Sequence, residues 1–131
     1  MTTREEKRLV LVAGARKLIN QAVYDRHASL AEAPGKVSCT SLTAYLYALI
    51  GTALPLSQQN EMGQNVPLEE RMAGDLVFVF GAARYNAPGH VGIATECGTV
   101  IHADPNAGTV VESTLEEFRG DGTKMKIQRL L

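Results

Sequence analysis

Gly74-Asp75-Leu76-Val77-Phe78-Val79-Phe80-Gly81 holds five consecutive apolar residues between two glycines. A run that short, unbroken by any polar residue, suits a strand buried on both faces. Downstream the same character continues. His90 to Thr95 and Thr99 to Ala103 read as short strands around a Glu96-Cys97-Gly98 turn, a hairpin pattern. Thr109 to Glu112 reads as a further strand, Thr114 to Phe118 as one helical turn, and Lys124 to Leu131 as an imperfectly alternating strand that closes the sheet. Upstream the period changes. Leu42, Tyr45, Leu46, Leu49 and Ile50 fall at i, i+3, i+4, i+7 and i+8, one apolar face of a helix. Ser38 is suited to cap that helix and Gly51 to stop it. Leu11, Ala15, Leu18 and Ala22 form a similar stripe, so Arg4 to Val23 reads as a first helix, weakened at Gly14. Tyr24 to Val37, with Pro34-Gly35, reads as a loop, as does Gly81 to Gly89. Thr52 to Ala73, with Pro55 and Pro67, reads as a long surface connection. Helices first and strands afterwards argue an α+β fold with an antiparallel sheet.

The length, 131 residues, fits one domain over 1–131, and 45% hydrophobic with 21% charged residues is the composition of a globular one. Thirteen Lys and Arg against fourteen Asp and Glu leave a formal net charge of −1, and aromatics are 5% without Trp. There is no basic excess to attract phosphates and base-stacking aromatics are scarce, which disfavours a nucleic-acid partner. No apolar run approaches the ~20 residues of a membrane-spanning helix. The N-terminus carries Arg4, Lys7 and Arg8, but Glu5 and Glu6 interrupt them, and Leu9-Val10-Leu11-Val12 is shorter than the ~7 apolar residues a secretory signal requires. The chain therefore reads as cytoplasmic when synthesised. Two cysteines are too few for a disulfide framework.

Cys39 is the first candidate for chemistry. It stands at the first position of the Ser38-capped helix, where the partial positive charge of the helix end favours a thiolate. The plain alternative is a small buried hydrophobe. His90 begins a strand in which His90, Gly92 and Ala94 share one face, small beyond the histidine. With the hairpin centred on Glu96, His102 lies directly opposite His90 on that face. A loop of different length shifts that register. His27 sits in a polar loop and reads as surface. A cysteine and two histidines can supply nucleophile, base and orienting group, the third member fixing the tautomer of the second. The backbone N–H of Cys39 is available to an oxyanion. Zinc binding by Cys39, His90, His102 and Cys97 is disfavoured, because neither C-x-x-C nor H-x-x-x-H spacing occurs.

In order, these segments resemble the NlpC family of cell-wall cysteine peptidases, a papain-like group. Ser38-Cys39-Thr40-Ser41-Leu42-Thr43 is similar to its D-C-S-G-L-V motif. Pro55-Leu56-Ser57-Gln58-Gln59 is similar to P-R-x-S-x-x-Q, one residue shorter. Met72 to Phe80 resembles L-x-P-G-D-L-V-F-F, His90 to Ala94 resembles H-V-G-I-Y, and Ile101-His102-Ala103 matches I-H-A. The likeness covers residues 37 to 118. It implies a papain-like fold with the N-terminal helices packed on a small antiparallel sheet. It implies Cys39 as nucleophile, His90 as base and acid, and His102 as the third polar residue. Ser38, Thr40 and Tyr24 become the substrate-binding candidates, Gly74 and Asp75 structural ones. The implied reaction is hydrolysis of an amide in a peptidoglycan stem peptide, often between γ-D-glutamate and a diamino acid, without metal or organic cofactor. A chain without an export signal then needs a specialised route to the wall. Ser38 replaces the family's Asp, Ser41 its Gly, and the upstream P-Y-x-W-G-G is absent but for Tyr24. A thiol amidase or acyltransferase on another substrate, and a non-catalytic binding domain on the same fold, are the alternatives.

Overall fold

The computed structural model describes residues 2–131. In it the Leu76–Phe80 run is a central strand, and strands flank it on both sides. In chain order the elements are α1 (Arg4–Lys17), β1 (Val23–Tyr24), β2 (Lys36–Val37), α2 (Cys39–Ala48), β3 (Gln64–Val66), β4 (Leu76–Phe80), β5 (Gly89–Ala94), β6 (Val100–Asp104), β7 (Thr109–Ser113), α3 (Leu115–Arg119) and β8 (Lys124–Arg129). The strands form one sheet in the order β2-β1-β7-β6-β5-β4-β8-β3. Its pairings are antiparallel except β1 with β2. The α+β class read from the sequence is the one observed.

Both faces of β4 are covered, which is why its sequence does not alternate. Leu76 and Phe78 pack with Val91, Ile93 and Ile101 under Leu11 and Ala15 of α1 and Leu42, Leu46 and Tyr47 of α2. Val77 and Val79 pack on the opposite face with Tyr85, Phe118 and Ile127. Gly14 has a packing role: a Cβ there would lie 2.9 Å from Leu49 Cδ1 and 3.2 Å from Leu46 Cδ2, so the missing side chain lets α1 lie against α2.

Three expectations need correction. The first helix ends at Lys17, not Val23. Asn20 takes a left-handed φ of 62°, and its N–H donates to the Val110 carbonyl at 3.0 Å. The segment after Lys17 thus satisfies its backbone against the sheet rather than by another helical turn. Tyr24 to Val37 is not all loop, because its two ends pair as β1 and β2. The Thr52–Ala73 connection contributes β3, paired with β8, and its Gln59 is buried.

At the turn into β4, Asp75 is buried and accepts from Arg129 Nη2 at 2.8 Å, Arg129 Nε at 3.0 Å and the Met72 N–H at 2.8 Å. Arg8 of α1 lies 3.6 Å away. One carboxylate thereby ties α1, the turn into β4 and the C-terminal strand. Among the described residues, no helix is long and apolar enough to cross a membrane.

Candidate active site

Ser38 and Ser41 cap α2 reciprocally. Ser38 Oγ accepts the Ser41 N–H at 3.1 Å, and Ser41 Oγ accepts the Ser38 N–H at 2.8 Å. This is a capping box with serine in the usual Glu position, and it fixes Cys39 at the first residue of the helix. Cys39 is partly buried. Burial pushes its thiol up from the ordinary value, and the N–H groups of Val91, Thr40 and Cys39 itself pull it down. The expected lowering by the helix end is present but outweighed: removing a thiolate from water costs more than these dipoles return. The resting thiol is neutral.

His90 and His102 are 4% and 0% exposed. His90 Nε2 lies 2.9 Å from His102 Nδ1, and His102 Nε2 lies 2.9 Å from Ser113 Oγ. Two aromatic rings enclose the pair. Tyr85 stacks on His90 with centroids 3.8 Å apart and planes 13° apart, its hydroxyl donating to the Phe118 carbonyl at 2.6 Å. Phe118 meets His102 edge-on at 4.9 Å. Burial, then the charge of His102 and of Arg84, lowers His90 to about 2. Burial lowers His102 to about 4, with Asp104 opposing and Arg84 adding to the effect. Both imidazoles are neutral at physiological pH.

The hairpin register differs from the one expected. Ile93 pairs with Ile101 and Ala94 with Val100, so the turn centres on Cys97 rather than Glu96. One residue further, Gly92 and not His90 stands across from His102. The two histidines share a face but meet diagonally, within reach of long side chains. Gly92 makes this possible: a Cβ there would lie 3.0 Å from His102 Cβ and 2.5 Å from Val100 Cγ1.

Cys39 and His90 line one cleft, with Thr40 beside them and walls of Leu56, Phe78, Phe80 and Pro88. None of the residues lining it is charged. Val91, the neighbour of His90, presents its N–H to the thiol. Among the described residues no hydrogen bond joins the thiol to the imidazole, a contact that commonly tightens only when substrate is bound. Tyr24 lies near Cys39. Burial raises its phenol first, and a negative Cys39 would raise it further. Ser38 is engaged in the cap and is not among the residues lining the cleft. His27 is exposed, as expected, and Cys97 is exposed at the hairpin tip near Arg16 and Glu96. Among the described residues no three His, Cys, Asp or Glu side chains cluster as a metal site would require.

Two contributors escaped sequence reading. Gln59 donates to the carbonyls of Thr40 (3.1 Å) and Pro55 (2.8 Å) and accepts from Thr43 Oγ1 at 2.6 Å, pinning the Pro55–Gln59 wall to α2. Its place in the Pro55–Gln59 motif was the only signal. Ser113 had none, because its approach to His102 depends on the β6–β7 register.

A model of the NlpC/P60 family matches residues 24–126. The chain belongs to the NlpC/P60 family. A protein named as a probable endopeptidase from Corynebacterium glutamicum is 33% identical over 88 residues, 66% of this chain and 40% of that one. The chain thus spans about two-fifths of the curated relatives it matches. The NlpC/P60 domain of the peptidoglycan hydrolase SagA superposes with a TM-score of 0.73 at 23% identity, over 93% of this chain and 98% of that chain. RipD of Mycobacterium tuberculosis, described as a non-catalytic NlpC/P60 domain protein adapted to peptidoglycan binding, gives 0.74 at 20% identity, over 95% and 98%. At these identities the structural likenesses establish the papain-like NlpC/P60 fold.

Proposed function

We propose that this NlpC/P60 chain is a cysteine peptidase that hydrolyses amide bonds in peptidoglycan stem peptides. The observation that carries the reading is the opening of the Cys39 thiol and His90 onto one cleft, with His102 hydrogen-bonded behind His90. The family match and the endopeptidase name of the Corynebacterium relative support the substrate class.

Because thiol and imidazoles are neutral at rest, the chemistry begins with a proton transfer rather than from a standing ion pair. His90 takes the Cys39 proton as the sulfur attacks the scissile carbonyl carbon. The carbonyl oxygen becomes an oxyanion, stabilised by the Cys39 backbone N–H at the helix start. When the intermediate collapses, the C–N bond breaks and the leaving amine takes the proton from His90. Water, deprotonated by His90, then cleaves the thioester and the thiol recovers its proton. For His90 to accept at Nδ1, its Nε2 must carry hydrogen and donate to His102 Nδ1. Thr40, which lines the cleft, is assigned to substrate contact, and Tyr24, which lies near Cys39 without lining the cleft, is the weaker candidate. Ser38 is assigned to the cap instead. The family's usual γ-D-glutamyl–diamino acid bond is the first one to test, although Ser38 in place of the family's Asp and an uncharged cleft speak against recognition of a charged amino group there.

The test is digestion of purified peptidoglycan fragments by wild type and by Cys39→Ala, read by mass spectrometry. Release of stem-peptide pieces by wild type alone supports the reading and names the bond. No release, with Cys39-dependent hydrolysis of a simple amide or ester, redirects the enzyme to another amide or acyl substrate. The second reading, a binding domain without turnover, draws on the raised Cys39 thiol and on the fold shared with RipD. No release and no Cys39-dependent hydrolysis of any amide or ester, with the peptidoglycan fragments still bound, select it.

A further inference from the structure

The hydrogen-bond chain does not stop at His102. His102 pairs with Val111 across the β6–β7 register, and Ser113 lies two residues further along β7 on the same face. Its Oγ therefore reaches His102 diagonally and lies 2.9 Å from Nε2. Among the described residues, the two imidazoles have no other side-chain hydrogen-bond partners than each other and Ser113. Tyr85 and Phe118 pack on the pair with ring faces and edges, which do not fix a tautomer.

A neutral imidazole has one N–H and one lone pair, so the chain can be phased in only two ways. In one, His90 Nε2–H donates to His102 Nδ1 and His102 Nε2–H donates to Ser113 Oγ. His90 Nδ1 is then a free lone pair. In the other, the Ser113 hydroxyl donates to His102 Nε2, His102 Nδ1–H donates to His90 Nε2, and His90 Nδ1 carries the hydrogen. Only the first phase leaves His90 able to take a proton at Nδ1. We propose that Ser113 is a positioning residue: it holds the His102 ring behind His90 through His102 Nε2, and in the first phase, the one that leaves His90 able to act as base, its hydroxyl accepts from His102 Nε2–H. The inference rests on the catalytic reading of Cys39 and His90. It adds a fourth member, Ser113, to the Cys39–His90–His102 set, acting through His102 and not on substrate.

The experiment compares wild type, Ser113→Ala and Ser113→Thr. Nitrogen-15 NMR of the histidine side chains reads the tautomers without any substrate. Turnover on peptidoglycan fragments reads kcat and KM. Wild type is expected to show His102 protonated at Nε2 and His90 at Nε2. Ser113→Ala is expected to mix the tautomers and to lower kcat by about 10- to 100-fold with KM within about 2-fold, the size expected for a group that assists general acid–base catalysis. Ser113→Thr, which keeps the hydroxyl and suits a strand, is expected to recover both signals. His102 protonated at Nδ1 in wild type overturns the proposal, as do unchanged tautomers and kcat in Ser113→Ala. Should Ser113→Ala unfold, failure of Ser113→Thr to keep the wild-type tautomers overturns it equally. Expected tautomers without peptidoglycan cleavage leave the relay standing and reject the substrate. Cleavage that is indifferent to Ser113 does the reverse.

Discussion

Replacing Gly92 by Ala tests whether the diagonal meeting of His90 and His102 is what the hairpin is built to provide. The new Cβ would lie 2.5 Å from Val100 Cγ1, 2.8 Å from the Ile101 carbonyl oxygen and 3.0 Å from His102 Cβ. Carbon atoms pack best at about 3.5–4.0 Å, so the overlap with Val100 is on the order of 1 Å. Val100 is fully buried and the Ile101 oxygen belongs to the sheet backbone, so neither yields without parting β5 from β6. Overpacking of this kind costs about 1–3 kcal/mol, or about 4–15 °C in melting temperature for a chain of this size. The same separation lengthens the 2.9 Å His90–His102 hydrogen bond. A shift of about 0.5 Å takes it to the edge of what counts as one. Gly98→Ala is the control. It sits in the turn of the same hairpin at φ +81°, and its Cβ meets only Arg71 Nη2, at an ordinary 3.5 Å. That change costs about 1–2 kcal/mol through backbone strain alone. Expected results are similar losses of melting temperature for both variants. Hydrolysis per folded molecule should fall at least about tenfold in Gly92→Ala and stay within about twofold in Gly98→Ala, with the histidine nitrogen-15 signals moving only in the former. Equal activity in the two variants, or unmoved histidine signals in Gly92→Ala, would refute the reasoning.

Other outcomes follow from the same contacts. His90 and His102 bind fewer protons folded than unfolded, so their contribution is complete above the unfolded value of about 6.5. It is lost as pH falls toward about 4 for His102 and about 2 for His90. Urea unfolding between pH 6 and 4.5 should show stability dropping with pH, each histidine adding a slope approaching about 1.4 kcal/mol per pH unit, and a His90→Gln, His102→Gln double variant should flatten the curve. Gln59→Ala removes a buried amide bonded to Thr40, Thr43 and Pro55, and should cost about 1–3 kcal/mol and make the Pro55–Gln59 wall a site of early proteolysis. Asp75→Asn leaves Arg129 and the buried Arg8 without their carboxylate and should cost about 3–5 kcal/mol by denaturant titration, with activity per folded molecule unchanged.

The elements with a strong local signal were legible in the chain itself. The Leu76–Phe80 run, the Ser38 cap with Cys39 behind it, and the strand faces carrying His90 and His102 depend on neighbours one to four residues away, and side-chain period and capping chemistry act over that range. The α+β class followed from the order of those signals, and the ordered motifs named the family. The first helix was read six residues too long, because Ile19, Ala22 and Val23 keep the apolar spacing while the backbone there turns to the sheet. β1, β2 and β3 are two or three residues long and exist only through their pairing partners. The β5–β6 hairpin turn was centred one residue early, a two-residue shift in pairing that keeps both histidines on one face, because a three-residue turn signal does not say which residue is its centre. Tertiary structure alone set the diagonal histidine pair over Gly92, the reach of Ser113 to His102 and the aromatic lid of Tyr85 and Phe118. It also reversed the expected sign at Cys39. A helix end lowers a thiol's pKa by a dipole that the sequence reveals. Desolvation raises it through everything packed around the sulfur, and that surrounding is assembled from segments distant in the chain.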